Sequence, residues 1–351
     1  MDGLSFELTN ACNRRCLHCF RNRHDPPGFL PLSLARETLA QAGPLGFKTL
    51  CLTGGEPALY PDLAGLLALV AEQGFTFSLV TNGHRFREAF LPLLTAPPIR
   101  ERLSVVCFSL DGARAASHDA LRGPGSFREV VEAATLCHLA DLPLAFKTVI
   151  TNFNKDELTE VALLGASLGA QDQGFLHPLP AAAALRKEAF PPPEEVGDLL
   201  AWIEGTLAKA LRHRIFLEGW GPPTPLFTCP NLLQGAHVDY QGNLILCCNL
   251  SHLKGEARKP SVFGREWLGD LTTMPLREGL GRHFQVVARL MEARLGETEK
   301  LAGLNLIPCY WCQRHFGKLE WLRDFPDSPW SAGVLEEEWC HEGTPPEGIP
   351  G

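Results

Sequence analysis

The sequence predicts an α/β fold: a partial (β/α)6 TIM-type barrel followed by a small cysteine-rich domain. Three observations carry this expectation. Apolar runs of strand length alternate with amphipathic helical stretches six times over about 180 residues. These runs are bounded by Gly and Pro and are apolar enough for strands covered on both faces. From Ile215 onward the alternation stops, and the chain becomes rich in Gly, Pro, Trp and Cys.

In order, LSFELTN (4–10) is the first expected strand, followed by a helix over SLARETLAQAG (33–43). TLCLTGG (49–55) is the second strand, and PDLAGLLALVAEQG its helix. TFSLVTNG and FREAFLPLLTA form the third pair, RLSVVCFSLDG and SFREVVEAATLCHLADLP the fourth. LAFKTVIT and KDELTEVALLGASLGA form the fifth, and DQGFLHP is the last strand. Repeated β-α units imply a parallel sheet with right-handed crossovers. A complete eight-stranded barrel takes about 250 residues, so six units predict a barrel open on one side. FPPPEE (190–195) then reads as a linker and helix start, continued by EEVGDLLAWIEGTLAKALRH. The expected organisation is a barrel over 1–185, a linker and helix over 186–221, a cysteine-rich domain over 222–316 and a tail over 317–351. The last ten residues read as flexible.

Composition narrows the function. Hydrophobic residues make up 45% of the 351, enough for a sizeable core, and 33 Gly with 28 Pro point to many firm turns. A formal net charge of −8 argues against a nucleic-acid partner. MDGLSFELTN lacks the basic and apolar regions of a signal peptide, and no apolar run is long enough to cross a bilayer. The expected location is cytoplasmic, without a membrane partner, where thiols stay reduced. Twelve cysteines in such a chain read as metal ligands rather than disulfides.

Three of them, Cys12, Cys16 and Cys19, lie in the loop after the first strand. Loops at the C-terminal ends of parallel barrel strands carry active sites. Zinc normally takes four ligands, so three thiolates fit it poorly unless His18 or His24 joins. A 4Fe–4S cluster with three protein thiolates keeps one iron open for another molecule.

CNRRCLHC (12–19) resembles the CxxxCxxC signature of the radical S-adenosylmethionine (SAM) enzymes. TGGEP (53–57), TNG (81–83), SLDG (109–112) and HDALRGPGSF (118–127) match that family in order, all at or after strand ends. The resemblance covers the first 180 residues or so. It implies a 4Fe–4S cluster on Cys12, Cys16 and Cys19, with SAM chelating the open iron. It places the backbone of Gly54, Gly55 and Glu56 at the SAM amine, with Glu56 as counter-charge and Pro57 fixing the turn. Asn82 follows the third strand in this cofactor-binding set. Ser109 and Asp111, two apart on one strand, share a face; Ser109 would lie near the SAM carboxylate or ribose. Arg122 would fork onto the SAM carboxylate, and His18 and Phe20 would pack near the cluster or adenine. Without that context Gly54–Pro57 and Asp111-Gly112 are turns, Arg122 is a surface residue, and His118-Asp119 caps a helix.

A second set follows. Twelve residues separate Cys229 from Gly242, and four more separate Gly242 from Cys247. HVDYQGNLILCC reads as a hairpin turning at Gln241-Gly242-Asn243, and IPCYWCQRHF adds Cys309 and Cys312. Four thiolates suit a closed site, either structural zinc or a fully ligated cluster. The pattern resembles the SPASM/twitch extension of radical SAM enzymes. The shorter twitch form implies one auxiliary 4Fe–4S cluster on Cys229, Cys247, Cys309 and Cys312. Cys248 adjoins Cys247, and strand neighbours point to opposite faces, so it is expected off that cluster unless it replaces Cys247. Cys340 is a candidate thiol hydrogen-atom donor, a ligand or a buried residue. Cys51, Cys107 and Cys137 read as core.

The resemblance implies reductive cleavage of SAM to a 5′-deoxyadenosyl radical, which abstracts a hydrogen atom. The substrate is a peptide of the ribosomally made, modified kind or a small molecule such as a sugar. The outcome is oxidation, crosslinking or epimerisation, and a flavodoxin or ferredoxin supplies electrons. With the first strand at about Leu4, no extra N-terminal peptide-binding domain is expected. Candidate substrate contacts are Lys147, His177, Trp220 and Trp311. The readings outside this class are a zinc-binding structural module and an electron-transfer iron–sulfur protein.

Overall fold

A computed structural model describes residues 2–19, 26–211, 214–219, 229–251, 266–298, 301 and 303–335. Cys340, Trp220, Phe20 and His24 lie outside the described residues. The six expected strands are present as β1 (Gly3–Glu7), β2 (Thr49–Thr53), β3 (Thr76–Thr81), β4 (Leu103–Ser109), β5 (Leu144–Val149) and β6 (Asp172–Leu176). Each pairs in parallel with the next.

One further strand joins them. β7 (Arg214–Glu218) pairs in parallel with β6, so the alternation runs one strand past the point where the sequence seemed to lose it. The reason is position: β7 lies at the sheet's end, only half-buried, and carries Arg and Glu at its own ends. The hairpin around Gly242 extends the other end of the same sheet. Its strands are β8 (Gly235–Val238), parallel to β1, and β9 (Asn243–Ile245), antiparallel to β8; β10 (Trp267–Asp270) follows, antiparallel to β9.

Alternation along the strands sorts the two faces. Leu4, Phe6, Leu50, Leu52, Phe77, Leu79, Val106, Phe108 and Phe146 are buried in one core with Leu34, Leu39, Leu66, Val70, Val130 and Ala134 from the helices. Each such Leu, Val or Phe side chain contributes about 1.5–3 kcal/mol by leaving water. The helices are Leu32–Ala42, Leu63–Glu72, Ser126–Leu139 and Leu158–Ser167, close to the expected spans. Asp62 caps the second, accepting from the Gly65 N–H at 2.9 Å. The third expected helix is broken into a wide turn, Phe86–Phe90, and Leu91–Leu94, where Pro92 removes a backbone donor.

The other face is not an apolar core. Ser5, Cys51, Ser78, Cys107 and Lys147 occupy the alternate positions on β1 to β5. The Cys51 thiol feels the hydroxyls of Ser78 and Ser5 and the charge of Lys147 three strands away. On a flat sheet those strands would stand about 14 Å apart, so the sheet curls around this face. Cys51 and Cys107 therefore line the interior, whereas Cys137 is a true core residue, its thiol directed at the Leu142 carbonyl. Residues Glu320–Leu335 pack back onto the helix Pro193–Trp202: Trp330 Nε1 donates to the Pro191 carbonyl at 3.0 Å, and the Tyr310 hydroxyl to the Trp330 carbonyl at 2.8 Å.

Candidate active site and cysteine centres

The loop bearing Cys12, Cys16 and Cys19 leaves β1 and is laced to the loop leaving β2. Leu8 N–H donates to the Thr53 carbonyl at 2.9 Å, Gly55 N–H to Thr9 at 2.6 Å and Glu56 N–H to Ala11 at 2.8 Å. Gly54 has φ +146, and a Cβ there would stand 2.8 Å from the Thr9 carbonyl oxygen. Only glycine allows this approach. The Gly-Gly-Glu-Pro segment thus holds the cysteine loop in place.

The Glu56 side chain is held by its own chain. Its carboxylate is fully buried and accepts from Ala58 N–H (3.1 Å), the Thr81 hydroxyl (2.7 Å) and Asn82 N–H (2.8 Å). The carboxylate thus ties the ends of β2 and β3. Pro57, itself buried, begins the turn Pro57–Leu59. Burial pushes the Glu56 pKa up to about 7, against the pull of Asn82, Thr81 and Ala58. A carboxyl raised in the folded state stabilises fully below its ordinary 4.5, and that contribution is lost as pH rises through about 7. The shift is worth about 3 kcal/mol. Urea unfolding of wild type and Glu56→Gln should therefore show the wild-type advantage shrinking by about that much between pH 4.5 and 8. A pH-independent difference would contradict it.

Among the three cysteines, Cys12 is exposed, Cys16 buried and Cys19 half-buried. Donors converge on the sulfurs. Arg14 N–H lies 3.4 Å from Cys12 Sγ, and Asn82 Nδ2 3.7 Å from it and 3.0 Å from Asn13 Oδ1. Arg122 Nη1 stands 3.9 Å from Cys16 Sγ. Although the residue as a whole is exposed, the loop desolvates the Cys12 sulfur and pushes its thiol up to about 11, against the pull of the Arg14 N–H; a bound cation would counter this by holding the thiolate. Positive and N–H donors around sulfur fit a cysteine-ligated cluster.

Asp111 and Arg122 are committed to each other. Arg122 Nε donates to Asp111 Oδ2, Val149 N–H donates to Oδ1 at 2.7 Å, and Asn154 Nδ2 donates to the Asp111 carbonyl at 2.9 Å. Burial alone would raise the Asp111 pKa; Arg122, then His18 and His118, outweigh it and hold it below the carboxylate range. His18 Nε2 lies 4.0 Å from Asp111 Oδ2. The fork expected to grip a SAM carboxylate thus faces Asp111 with one edge and Cys16 with another. β4 ends at Ser109, so strand alternation does not extend to Asp111; Asp111 is fully buried, and Ser109 is half-buried beside Lys147 in the β4–β5 register. Asp119 caps the helix Ser126–Leu139, accepting from Gly125, Ser126 and Phe127. Sequence reasoning missed Arg14, which pairs with Glu129, and His84, whose Nδ1 lies 2.9 Å from Glu129 Oε1. No local signal marks that triad, since its members are far apart in the chain.

Residues 6–164 match the family model described as the Radical SAM superfamily. Residues 6–164 form a radical SAM domain. The AdoMet-dependent heme synthase of Methanosarcina barkeri is 32% identical over 170 residues, 48% of this chain and 48% of that protein. Mycofactocin maturase MftC of Mycolicibacterium smegmatis is 29% identical over 229 residues, 64% of this chain and 57% of that protein. The alignment thus spans about half the length of the curated relatives matched. Among solved structures, anSMEcpe with bound AdoMet superposes with TM-score 0.64 at 17% identity, over 93% of this chain and 97% of that one. At that identity the likeness speaks for the fold.

Beyond the radical SAM domain, the second cysteine set also converges. Asp239 organises the hairpin turn, accepting from Gln241 and Asn243 N–H at 2.9 Å each, with Gly242 at φ +91. Cys309 and Cys312 sit one turn apart on the helix Pro308–His315. Asn249 Nδ2 lies 3.9 Å from Cys309 Sγ. Burial, then the neighbouring Cys229 and Cys248, push Cys309 up to about 12; burial, then Cys309 and Cys229, raise Cys312 well above its ordinary value. Cys247 is raised by its hydrogen bond with Cys248, then by burial, and also feels Cys309 and Cys229. Cys248 is thus not turned away: β9 ends at Ile245 and Cys248 opens the short helix Cys248–Ser251, so the strand alternation rule no longer applies.

Of the substrate-contact candidates, Lys147 faces the interior and pairs with Glu218 of β7 at 2.5 Å. His177 is buried, with Nδ1 2.8 Å from the Pro178 carbonyl and its ring edge-on to Trp330. Trp311 is fully buried under Arg294 and donates to Glu297 at 2.9 Å. His177 and Trp311 are therefore packing residues. Among the described residues no helix is long and apolar enough to cross a membrane.

Proposed function

We propose that this chain is a radical SAM enzyme that abstracts a hydrogen atom from a peptide substrate. The observation that carries the proposal is the three-cysteine loop held at the ends of β1 and β2, its sulfurs faced by Asn82 and Arg122. Cys12, Cys16 and Cys19 would hold a 4Fe–4S cluster. Reduced by one electron and loaded with SAM, that cluster would supply a 5′-deoxyadenosyl radical and release methionine. Arg122 offsets thiolate charge at Cys16, and Asp111 fixes the direction of its guanidinium. Lys147 and Glu218 present a cation and an anion on the interior face for polar groups of the substrate.

The C-terminal cysteines would hold an auxiliary 4Fe–4S cluster, with Cys229, Cys247, Cys309 and Cys312 as its thiolates. A closed cluster suits the role of electron acceptor for a substrate radical, which gives oxidation or a crosslink. A flavodoxin or ferredoxin would reduce the SAM cluster, and reduced thiols fit a cytoplasmic setting. A peptide substrate is favoured by the MftC maturase likeness and by the structure of anSMEcpe with AdoMet and the Kp18Cys peptide bound. The heme synthase likeness favours a second reading, a small-molecule substrate.

Deuterium transfer separates the two. Cells of the source organism grown in deuterated medium yield a peptide fraction and a small-molecule fraction. The reading expects deuterium in 5′-deoxyadenosine when reduced enzyme and SAM meet the peptide fraction. Label from the small-molecule fraction alone would favour the second reading. Label from neither would count against both.

A further inference from the structure

The hairpin end holds more ligands than a closed cluster uses. His237 of β8, Cys247 and Cys248 bring one ring nitrogen and two sulfurs within 4.8 Å of one another. Ligands of one tetrahedral zinc stand about 3.5–3.8 Å apart, given bonds near 2.0–2.3 Å. Thiolates on different corners of a 4Fe–4S cluster stand farther apart, because the body of the cluster lies between them. The three groups therefore suit a single ion better than separate irons.

His237 itself points the same way. It is 7% exposed, and neither ring nitrogen has a hydrogen-bond partner among the described residues. The other buried histidines each use one nitrogen: His118 accepts from Asp111 N–H, and His177 and His283 lie at the carbonyls of Pro178 and Leu232. A buried imidazole with both nitrogens idle is costly unless something binds it. Two thiolates and an imidazole form a soft set suited to zinc, with the fourth position left to water.

We propose that His237, Cys247 and Cys248 form a mononuclear zinc site whose filling competes with assembly of the auxiliary cluster. Cys247 belongs to both ligand sets, so the two occupants exclude each other. The zinc site stands on its own three residues; only the competition rests on the auxiliary-cluster reading.

The test uses the full chain with Cys12→Ala, Cys16→Ala and Cys19→Ala, which removes the opening loop as a zinc trap. Anaerobic titration with zinc should give one equivalent per chain. His237→Ala and Cys248→Ser should each weaken binding by more than about 100-fold, since loss of a mere outer partner already costs about 10–100-fold. Cys312→Ser should leave zinc affinity unchanged. Zinc-loaded protein should then take up less iron than apo protein. Should the triple variant not fold, the bound zinc of wild type and of His237→Ala after zinc loading is compared, and one equivalent should separate them. Zinc binding that ignores His237, or that depends on Cys312 as strongly as on Cys248, overturns the site. Iron uptake indifferent to zinc overturns the competition alone. Failure to bind iron with His237-dependent zinc intact counts against the auxiliary cluster and leaves the zinc site standing.

Discussion

Reconstituted wild-type protein should bind about eight irons per chain, and joint replacement of Cys12, Cys16 and Cys19 by alanine should halve this to about four. Joint replacement of Cys309 and Cys312 should halve it from the other side. The two losses are independent because the sets sit on different elements: the first in the loop after β1, the second before β8, just after β9 and on the helix Pro308–His315. Colorimetric iron analysis with the absorption near 400 nm, roughly where cysteine-ligated clusters absorb, checks both. About four irons in wild type would remove the auxiliary cluster from the account. An unchanged count in the first variant would remove the SAM cluster.

Arg122→Ala should destabilise the fold by about 3–5 kcal/mol, because it leaves Asp111 buried and charged without its partner. Both side chains are at most a tenth exposed, so solvent cannot replace the lost charge. Arg122→Lys recovers only part of this, since an ammonium lacks the fork that reaches Asp111 and Cys16 together. Asp111→Asn combined with Arg122→Met should cost less than the sum of the single changes. Urea midpoints at constant m-value measure all three. A loss below about 1 kcal/mol for Arg122→Ala would mean the pair is solvated in solution.

The cysteine loop was legible because its information is local: three cysteines within eight positions lie in one loop whatever surrounds it. The six strands were legible from apolar runs and their punctuation. What escaped depended on distant chain. The direction of the Glu56 carboxylate is set by Thr81 and Asn82, 25 and 26 positions on. Asp111 and Arg122 are each visible, but their meeting needs the turn between β4 and the helix Ala115–Arg122. β7 was missed because an end strand with one half-buried face shows a weak pattern. Cys248 was misjudged because alternation was extended past the last residue of β9. His237 carried no signal, since nothing in its neighbours shows that both nitrogens are left idle.

The central claim is that Cys12, Cys16 and Cys19 serve SAM chemistry, and one measurement addresses it most directly. Reconstituted, chemically reduced protein is incubated with SAM without oxygen, and 5′-deoxyadenosine is quantified by mass spectrometry. The account predicts nucleoside from wild type and a fall to background in Cys16→Ala. No nucleoside from wild type carrying its full iron, or equal amounts from Cys16→Ala, would contradict it.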